Sequence, residues 1–231
     1  MKTLGMIGGI GPESTVDYYR SILAAYGEQR PDGSSPSIII NSIDLQKGLR
    51  FLGNNDLDGL TNYLSYEIRR LAGAGADFGV LAANSPHIIF DELRKQSPIP
   101  LLSIVEATCN HAKAAGLTNL ALLGTAFTMQ GRFYPEVFSR ENIKLVTPQP
   151  DEQAYIHDKY LGELVKGVFL PETRQQLLAI INRMKERDHI AGVILAGTEL
   201  PLILRSPDKP PVPFLDTTQI HVQAIVKELL S

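Results

Sequence analysis

Apolar positions along this chain fall into two alternating kinds of segment. Short β-rich runs carry no polar alternation, and the longer segments between them place apolar residues at helical spacing. Uninterrupted apolar strands separated by helices are typical of parallel sheets that are covered on both faces. The predicted strands are 3–8, 36–43, 77–82, 99–103, 119–124, 142–146, 191–196 and 212–215, and the predicted helices are 13–26, 57–74, 88–96, 104–115, 128–139, 151–166, 171–187 and 217–230.

The chain also matches itself in three places, in the same order and at nearly the same offset. Such repetition predicts two copies of one supersecondary unit. We therefore expect an α/β fold of two similar lobes, each a mostly parallel sheet flanked by helices, related by a pseudo-two-fold axis. Residues 1–103 with 209–231 are expected to form the first lobe and 104–208 the second, with a ligand cleft between them. The matched pairs are GMIGGI (5–10) with ALLGTA (121–126), 116 residues apart, GVLAAN (79–84) with VILAGT (193–198), 114 apart, and IPLLSIVEAT (99–108) with VPFLDTTQIH (212–221), 113 apart.

Composition narrows the classes of partner. The chain has 231 residues, of which 44% are hydrophobic, and 22 basic against 25 acidic residues leave a formal charge of −3. This balance indicates neither a nucleic-acid nor a membrane partner. The single cysteine, Cys109, excludes an internal disulfide framework and a cysteine-rich metal site, so no metal is expected. The apolar run near the start is broken by glycines and Glu13, which is unlike a signal peptide and favours a cytoplasmic protein.

The first predicted strand runs into a glycine turn, GGIGPEST at 8–15. Open parallel sheets bind ligands beyond the carboxyl ends of their strands. The turn's amides and the helix start are suited to an anion such as a carboxylate, and a tight turn that only needs positive φ would read the same way. A dinucleotide fingerprint fits badly, because the Gly9-x-Gly11-x-x-Ser14 spacing lacks the third glycine.

Polar residues also follow two later strands. Asn84 and Ser85 are suited to hydrogen-bonding a substrate's carboxylate and ammonium groups. His87 is either a base, or a group that orients one, or a packed or capping histidine. Thr198 and Glu199 end the matching strand, where Glu199 would hold an ammonium or act as a base, or interact with the dipole of a helix start.

Three further groups of residues complete the candidates. Thr125 and Thr128 have hydroxyls for a bound carboxylate, although Thr128 as a helix cap would explain the same residue. Cys109 lies in a predicted helix, where a small buried hydrophobe is the expected role. The cations that would pair with a second carboxylate, or simply be solvated on the surface, are Lys47, Arg50, Arg132 and Lys166.

Six motifs spread over nearly the whole chain carry a family resemblance. They are MKTLGMIGGIGPESTVDYY at the start, NSPH at 84–87, LLGTAFTM at 122–129, PDEQ at 150–153, GTEL at 197–200 and VPFLDTT at 212–218. In this order they resemble the aspartate/glutamate racemase superfamily, especially its aspartate racemases and broad-specificity amino-acid racemases. The resemblance implies two pseudo-symmetric lobes, no cofactor, a homodimer, and a cleft for an amino acid or related carboxylate. Asn84, Ser85, Thr125, Thr198 and the turn at 8–15 match binding positions of the family. With the candidates from the residues themselves, the expected substrate-binding residues are Gly9, Pro12, Thr15, Asn84, Ser85, Thr125, Thr128 and Lys166.

The chain departs from this family at the two residues that carry its chemistry. Family racemases use two cysteines, one per lobe, which remove and return the α-proton on opposite faces of the substrate. The corresponding positions here are Ala82 and Gly197. Cys109 belongs to a helix beyond a different strand and cannot replace either thiol. An alcohol is not ionised near neutrality without an activating base, so neighbouring hydroxyls are poor substitutes.

Three functions remain open at this point. The protein binds an amino acid or (di)carboxylate without two-thiol racemisation, as an altered enzyme or as a catalytically inactive carboxylate-binding pseudoenzyme. Alternatively it is a cofactor-independent lyase or isomerase that uses Glu199 or His87 as base, with Ser85 or Thr198 as donor. A vestigial site in a structural assembly is disfavoured, because such a site would have no reason to keep its polar residues.

Overall fold

A computed structural model describes residues 2–205 and 210–231 of the chain. These residues form two compact units, one of Met1–Ile104 with Thr218–Ser231 and the other of Val105–Thr217. None of the helices in the described residues is long and apolar enough to cross a membrane.

Each unit is built on a four-stranded parallel sheet. The first sheet contains β1 (Thr3–Gly8), β2 (Ser37–Ser42), β3 (Phe78–Leu81) and β4 (Leu101–Leu102), in the order β2-β1-β3-β4. The second contains β5 (Asn119–Gly124), β6 (Lys144–Val146), β7 (Gly192–Ala196) and β8 (Phe214–Asp216), in the order β6-β5-β7-β8. The two orders correspond strand for strand, which confirms the α/β fold of two similar lobes.

Helices flank both sheets. They are α1 (Pro12–Gln29), α2 (Leu45–Gly53), α3 (Leu57–Gly73), α4 (Phe90–Gln96), α5 (Ile104–Ala114), α6 (Ala126–Met129), α7 (Phe133–Ser139), α8 (Pro150–Gly162), α9 (Pro171–Asp188), α10 (Leu200–Leu204) and α11 (Thr217–Leu230). Two 3-10 helices, Ser85–Ile89 and Leu164–Lys166, precede α4 and follow α8.

The core of each unit lies between its sheet and helices. In the first unit β1 and β3 pack against α1 and α11, with Tyr18, Ile22 and Val222 fully buried. In the second, β5 and β7 pack against α8 and α9, where Ile156 and Leu177 are buried. Every residue of β3 and of β7 is buried, which explains why these strands carry no polar alternation.

The helix predictions differ from the structure in several places. Helix α2 was not predicted: it is short, contains two glycines, and is capped by Asp44, whose side chain accepts a hydrogen bond from the Gln46 amide. The predicted helix 128–139 is two helices, α6 and α7. Gly131 separates them, and a Cβ there would lie 2.6 Å from the Phe127 carbonyl oxygen. The predicted helix 151–166 ends at Gly162 and continues only as a 3-10 turn.

The lobe boundary near the C-terminus also differs. The expected boundary at 208–209 lies outside the described residues, but the structure assigns the following strand to the second unit instead of the first. Strand β8 pairs with β7, with Val193 opposite Phe214 and Leu195 opposite Asp216. After leaving the first unit at Ile104, the chain returns to it only at Thr218.

Candidate functional site

Two strand ends meet at one edge of the first sheet. Strands β1 and β3 are parallel neighbours, with Ile7 opposite Leu81, so the segments after them leave the sheet side by side. One segment carries Gly9, Pro12 and Thr15, and the other carries Asn84, Ser85 and His87. The sheet order therefore gathers these six candidate residues at the carboxyl edge of the sheet.

The glycine turn is held by Thr15. The Thr15 hydroxyl accepts from the Gly9 amide at 2.9 Å and donates to the Gly11 carbonyl at 2.8 Å. Gly9 has φ of 78°, and a Cβ there would lie 2.5 Å from the Ile43 carbonyl oxygen. Pro12 is the first residue of α1, directly after the Gly11 cap. The Thr15 side chain thus shapes the turn.

His87 is packed inside the first unit. Its ring stacks on Phe90 with centroids 4.6 Å apart, and the Arg94 guanidinium lies 4.8 Å from the same Phe90 ring. Burial lowers the pKa of His87 to about 3, with a further contribution from nearby His221. Because such an imidazole is neutral and weakly basic at pH 7, the packed role fits His87 better than a base.

Ala82, Asn84 and Ser85 lie between β3 and this histidine. The Ala82 amide donates to the Ile7 carbonyl at 2.9 Å, and its methyl group is fully buried. Asn84 is buried as well, and Ser85 opens the 3-10 helix. Ala82 therefore supplies only a methyl group at this strand end, next to two polar side chains.

The second sheet repeats the arrangement. Strands β5 and β7 are neighbours, with Gly124 opposite Ala196, so Thr125 and Thr128 leave the same edge as Thr198 and Glu199. The hydroxyl oxygens of Thr125 and Thr128 are 3.4 Å apart, and both residues are buried. Thr128 lies inside α6, so it does not cap the following helix, and Thr125 holds the cap position without a side-chain capping bond.

A buried hydrogen-bonded cluster follows β7. Glu199 is 1% exposed, and its Oε2 accepts from the Thr198 hydroxyl at 3.0 Å and from the Tyr160 hydroxyl. Burial raises the pKa of Tyr160 well above its ordinary value, and the negative charge of Glu199 raises it further. The phenol therefore stays protonated, and its O–H group donates a hydrogen bond to the carboxylate. Hydrogen bonds of this kind to an ionised group are stronger than those between neutral groups.

The ring of Tyr160 also fills the space beside Gly197. A Cβ placed on Gly197 would lie 2.9 Å from both Cζ and Oη of Tyr160, and closer still to Cε2. Residue 197 therefore has no room for a side chain while the ring stays in place. The sequence did not indicate Tyr160, because a tyrosine on the apolar face of an amphipathic helix is expected in a core. Nothing in the local pattern shows that its hydroxyl bonds to Glu199, 39 residues later.

The remaining candidates are four cations, which are exposed or contact other side chains. Lys166 is exposed at the end of its 3-10 helix, Lys47 is 4.1 Å from the centroid of the Tyr63 ring, and Arg132 pairs with Glu136. Arg50 is exposed on α2.

A reactive thiol at Cys109 and a metal site were the two other kinds of functional site to consider. Cys109 is buried on α5, and burial raises the pKa of its thiol. Within residues 2–205 and 210–231, no group of three or more histidine, cysteine, aspartate or glutamate side chains is arranged to hold a metal ion.

Comparison with known proteins agrees with this architecture. The chain is 24% identical to the broad specificity amino-acid racemase RacX of Bacillus subtilis, over 99% of this chain and 98% of that protein. It superposes on a "putative Asp/Glu Racemase" from Yersinia pestis with a TM-score of 0.89 and 31% identity, over 100% of both chains. An aspartate racemase homologue from Pyrococcus horikoshii gives a TM-score of 0.84 and 29% identity, again over 100% of both. The Asp/Glu/hydantoin racemase profile matches residues 7–225, and the chain therefore belongs to this family.

Proposed function

We propose that this protein binds an amino acid or related (di)carboxylate at its polar strand ends and does not racemise it by a two-thiol mechanism. The binding half of the proposal is supported by the polar residues at the carboxyl edge of each sheet and by the racemase relatives. Asn84 and Ser85 would bind the ligand's carboxylate together with the first-turn amides of α1, which have no carbonyl partner within the helix.

The observation that carries the second half is Tyr160. Two-thiol racemisation needs a thiol at the end of β3 and another at the end of β7. By the family resemblance these positions are residues 82 and 197, which are alanine and glycine. At the second position the tyrosine ring takes the volume that any side chain would need. The difference from the family's two-thiol site is therefore larger than the absence of two sulfur atoms, because the packing of Tyr160 leaves no space for any side chain at position 197.

The test is α-proton exchange followed by NMR in D₂O, with L- and D-aspartate and L- and D-glutamate as probes. We expect ligand signals that broaden with added protein while the α-proton resonance persists. Two-thiol racemisation incorporates solvent deuterium in each turnover, so loss of that resonance above a control without protein would contradict the proposal.

Two controls separate the alternatives. Cys109→Ala removes the only thiol, so exchange that survives in this variant would show that another base operates. New resonances from a product would favour the lyase or isomerase alternative, with Glu199→Gln and His87→Asn identifying the base. Absence of binding by every probe would contradict the binding half.

The resemblance also suggests a homodimer. Three half-exposed apolar side chains of the first unit, Val16, Tyr19 and Ile40, would be suited to such contact. Sedimentation equilibrium is the measurement, and a monomer at high protein concentration would contradict this expectation.

A further inference from the structure

The first unit holds two buried histidines that are far apart in the sequence. His87 lies in the 3-10 helix Ser85–Ile89, and His221 lies on α11. His87 is 3% exposed and His221 is fully buried. The three histidines of the second unit are exposed or half-buried: His111, His157 and His189. A positive charge would therefore be removed from water at the histidines of the first unit only.

His221 joins three elements of this unit. Its Nδ1 is 2.9 Å from the Tyr18 hydroxyl oxygen on α1, and its Nε2 is 3.2 Å from the Leu102 carbonyl oxygen on β4. A carbonyl oxygen only accepts, so Nε2 carries the proton and Nδ1 accepts from the phenol. The neutral ring thus suits both neighbours, whereas a second proton on Nδ1 ends the hydrogen bond that the phenol donates.

His87 has no such hydrogen bonds. Neither of its ring nitrogens has a hydrogen-bond partner within residues 2–205 and 210–231. The titratable and charged groups that act on the ring are His221 of α11 and Arg94 of α4, and both oppose a positive charge on it. The carbonyl groups of Ala83 and Asn84 favour such a charge, but no carboxylate is among these neighbours. A proton on His87 therefore has no counter-ion in the folded unit.

We propose that these two histidines form an acid switch that opens the first unit. Proton uptake by His87 releases residues 85–96 from the sheet edge, and proton uptake by His221 releases α11 from α1 and β4. The second unit keeps its fold at the same pH. The switch goes beyond the proposed function and needs only the fold. Because the released segment follows Asn84 and begins at Ser85, opening would also release a ligand bound there.

Burial without a counter-ion gives the switch its direction. It lowers the pKa of His87 to about 3 and that of His221 to about 4, whereas an imidazole in water has a pKa of about 6.5. Between these values the closed unit holds neutral rings and the opened unit takes up protons. From pH 6 to pH 5, each histidine therefore increases the opening equilibrium by about seven-fold, and the two together increase it by about fifty-fold.

Hydrogen–deuterium exchange of the ligand-free full chain, followed by mass spectrometry from pH 7 to pH 4.5, measures this opening. Each rate is divided by the chemical exchange rate of an unfolded chain at that pH. We expect corrected exchange in residues 85–96 and in α11 to rise by about seven-fold or more from pH 6 to pH 5. Helix α9 of the second unit is the internal comparison, and its exchange should change by less than about two-fold.

Two variants separate the charge of His87 from its packing. His87→Phe keeps a ring against Phe90 but takes up no proton, so the acid dependence of exchange in residues 85–96 should fall by about seven-fold. Phe90→Leu is the matched control, because it removes the stacking partner and keeps the imidazole. Its exchange in this segment should be faster at every pH and should keep the acid dependence of the wild type.

Three results would overturn the switch. One is equal loss of protection in α9 and α11, which would mean that the whole chain unfolds together. Another is exchange around His87 that does not change with pH, and the third is undiminished acid dependence in His87→Phe. If His87→Phe does not fold, NMR titration of the five histidines of the wild type decides instead. Two imidazoles that titrate below about pH 5 would support the switch, and five that titrate near pH 6.5 would overturn it.

Discussion

Replacing Gly197 by alanine tests the packing at the end of β7 directly. The added methyl carbon would lie 2.9 Å from Cζ and Oη of Tyr160, whereas non-bonded carbon atoms are at rest about 3.5–4.0 Å apart. The φ of Gly197 is not in the positive range, so the substitution introduces no backbone strain to confuse the result. The ring must therefore move, and its hydroxyl is tied to Glu199.

The size of the effect follows from two contributions. Overpacking a core by one methyl group costs about 1–3 kcal/mol of unfolding free energy. If the ring shift breaks the hydrogen bond to the carboxylate, about 1.5–3 kcal/mol is added. We therefore expect Gly197→Ala to lower the free energy of unfolding by about 1–3 kcal/mol if the hydrogen bond survives, and by about 2.5–6 kcal/mol if it breaks.

A double-mutant cycle shows whether the ring is the cause. Tyr160→Leu removes the ring, so Gly197→Ala should cost almost nothing in that background, whereas Tyr160→Phe keeps the ring and most of the clash. The assay is urea unfolding followed by far-UV circular dichroism, since the chain has no tryptophan. Gly162→Ala, at a helix position with no atoms within 4 Å of the new methyl group, is the control. A loss of under about 0.5 kcal/mol for Gly197→Ala, the usual range of innocuous surface changes, would refute the reasoning.

Three other results are expected. The pKa of His87 is about 3 in the folded protein and about 6.5 when unfolded, so unfolding takes up a proton and stability falls as the pH drops from about 6.5 towards 3. His87→Phe should reduce that slope by up to about 1.4 kcal/mol per pH unit; equal slopes for this variant and the wild type in urea melts at pH 4–6 would contradict this. Gly9→Ala and Gly75→Ala both place alanine at positive φ, but only Gly9 lacks space, so its variant should unfold at least about 1 kcal/mol more easily. The thiol of Cys109 should react with Ellman's reagent only after unfolding, because it is buried. Rapid reaction of the native protein would contradict this burial.

The strands were predictable because buried parallel strands leave a local signature. The eight strands of the described residues all overlap predicted apolar runs, and the repeat predicted two similar lobes, in which the structure shows sheets of corresponding strand order. The weaker predictions concern short elements. Helix α2 depends on the Asp44 cap, and the break between α6 and α7 depends on a close contact at Gly131. Such features leave little periodic signal, so boundaries there were misplaced.

The roles of individual side chains followed from contacts that are distant in sequence. Sequence reasoning placed Glu199, Thr198 and Gly197 together at a strand end, because they are consecutive. It did not place Tyr160 beside them, since helix α8 approaches β7 only in the folded unit. In the same way, the sequence left open whether Thr15 and His87 face a ligand, and only the structure shows a hydroxyl used inside a turn and an imidazole stacked on Phe90.

Local patterning was sufficient for the fold, the repeat and the strand ends, because hydrophobic burial follows a periodicity that each segment carries in its own residues. The occupancy of the space beside Gly197 required the folded unit. A glycine in the sequence indicates only that a side chain is missing. Whether the volume beside it holds solvent or the ring of Tyr160 depends on how helix α8 packs against β7.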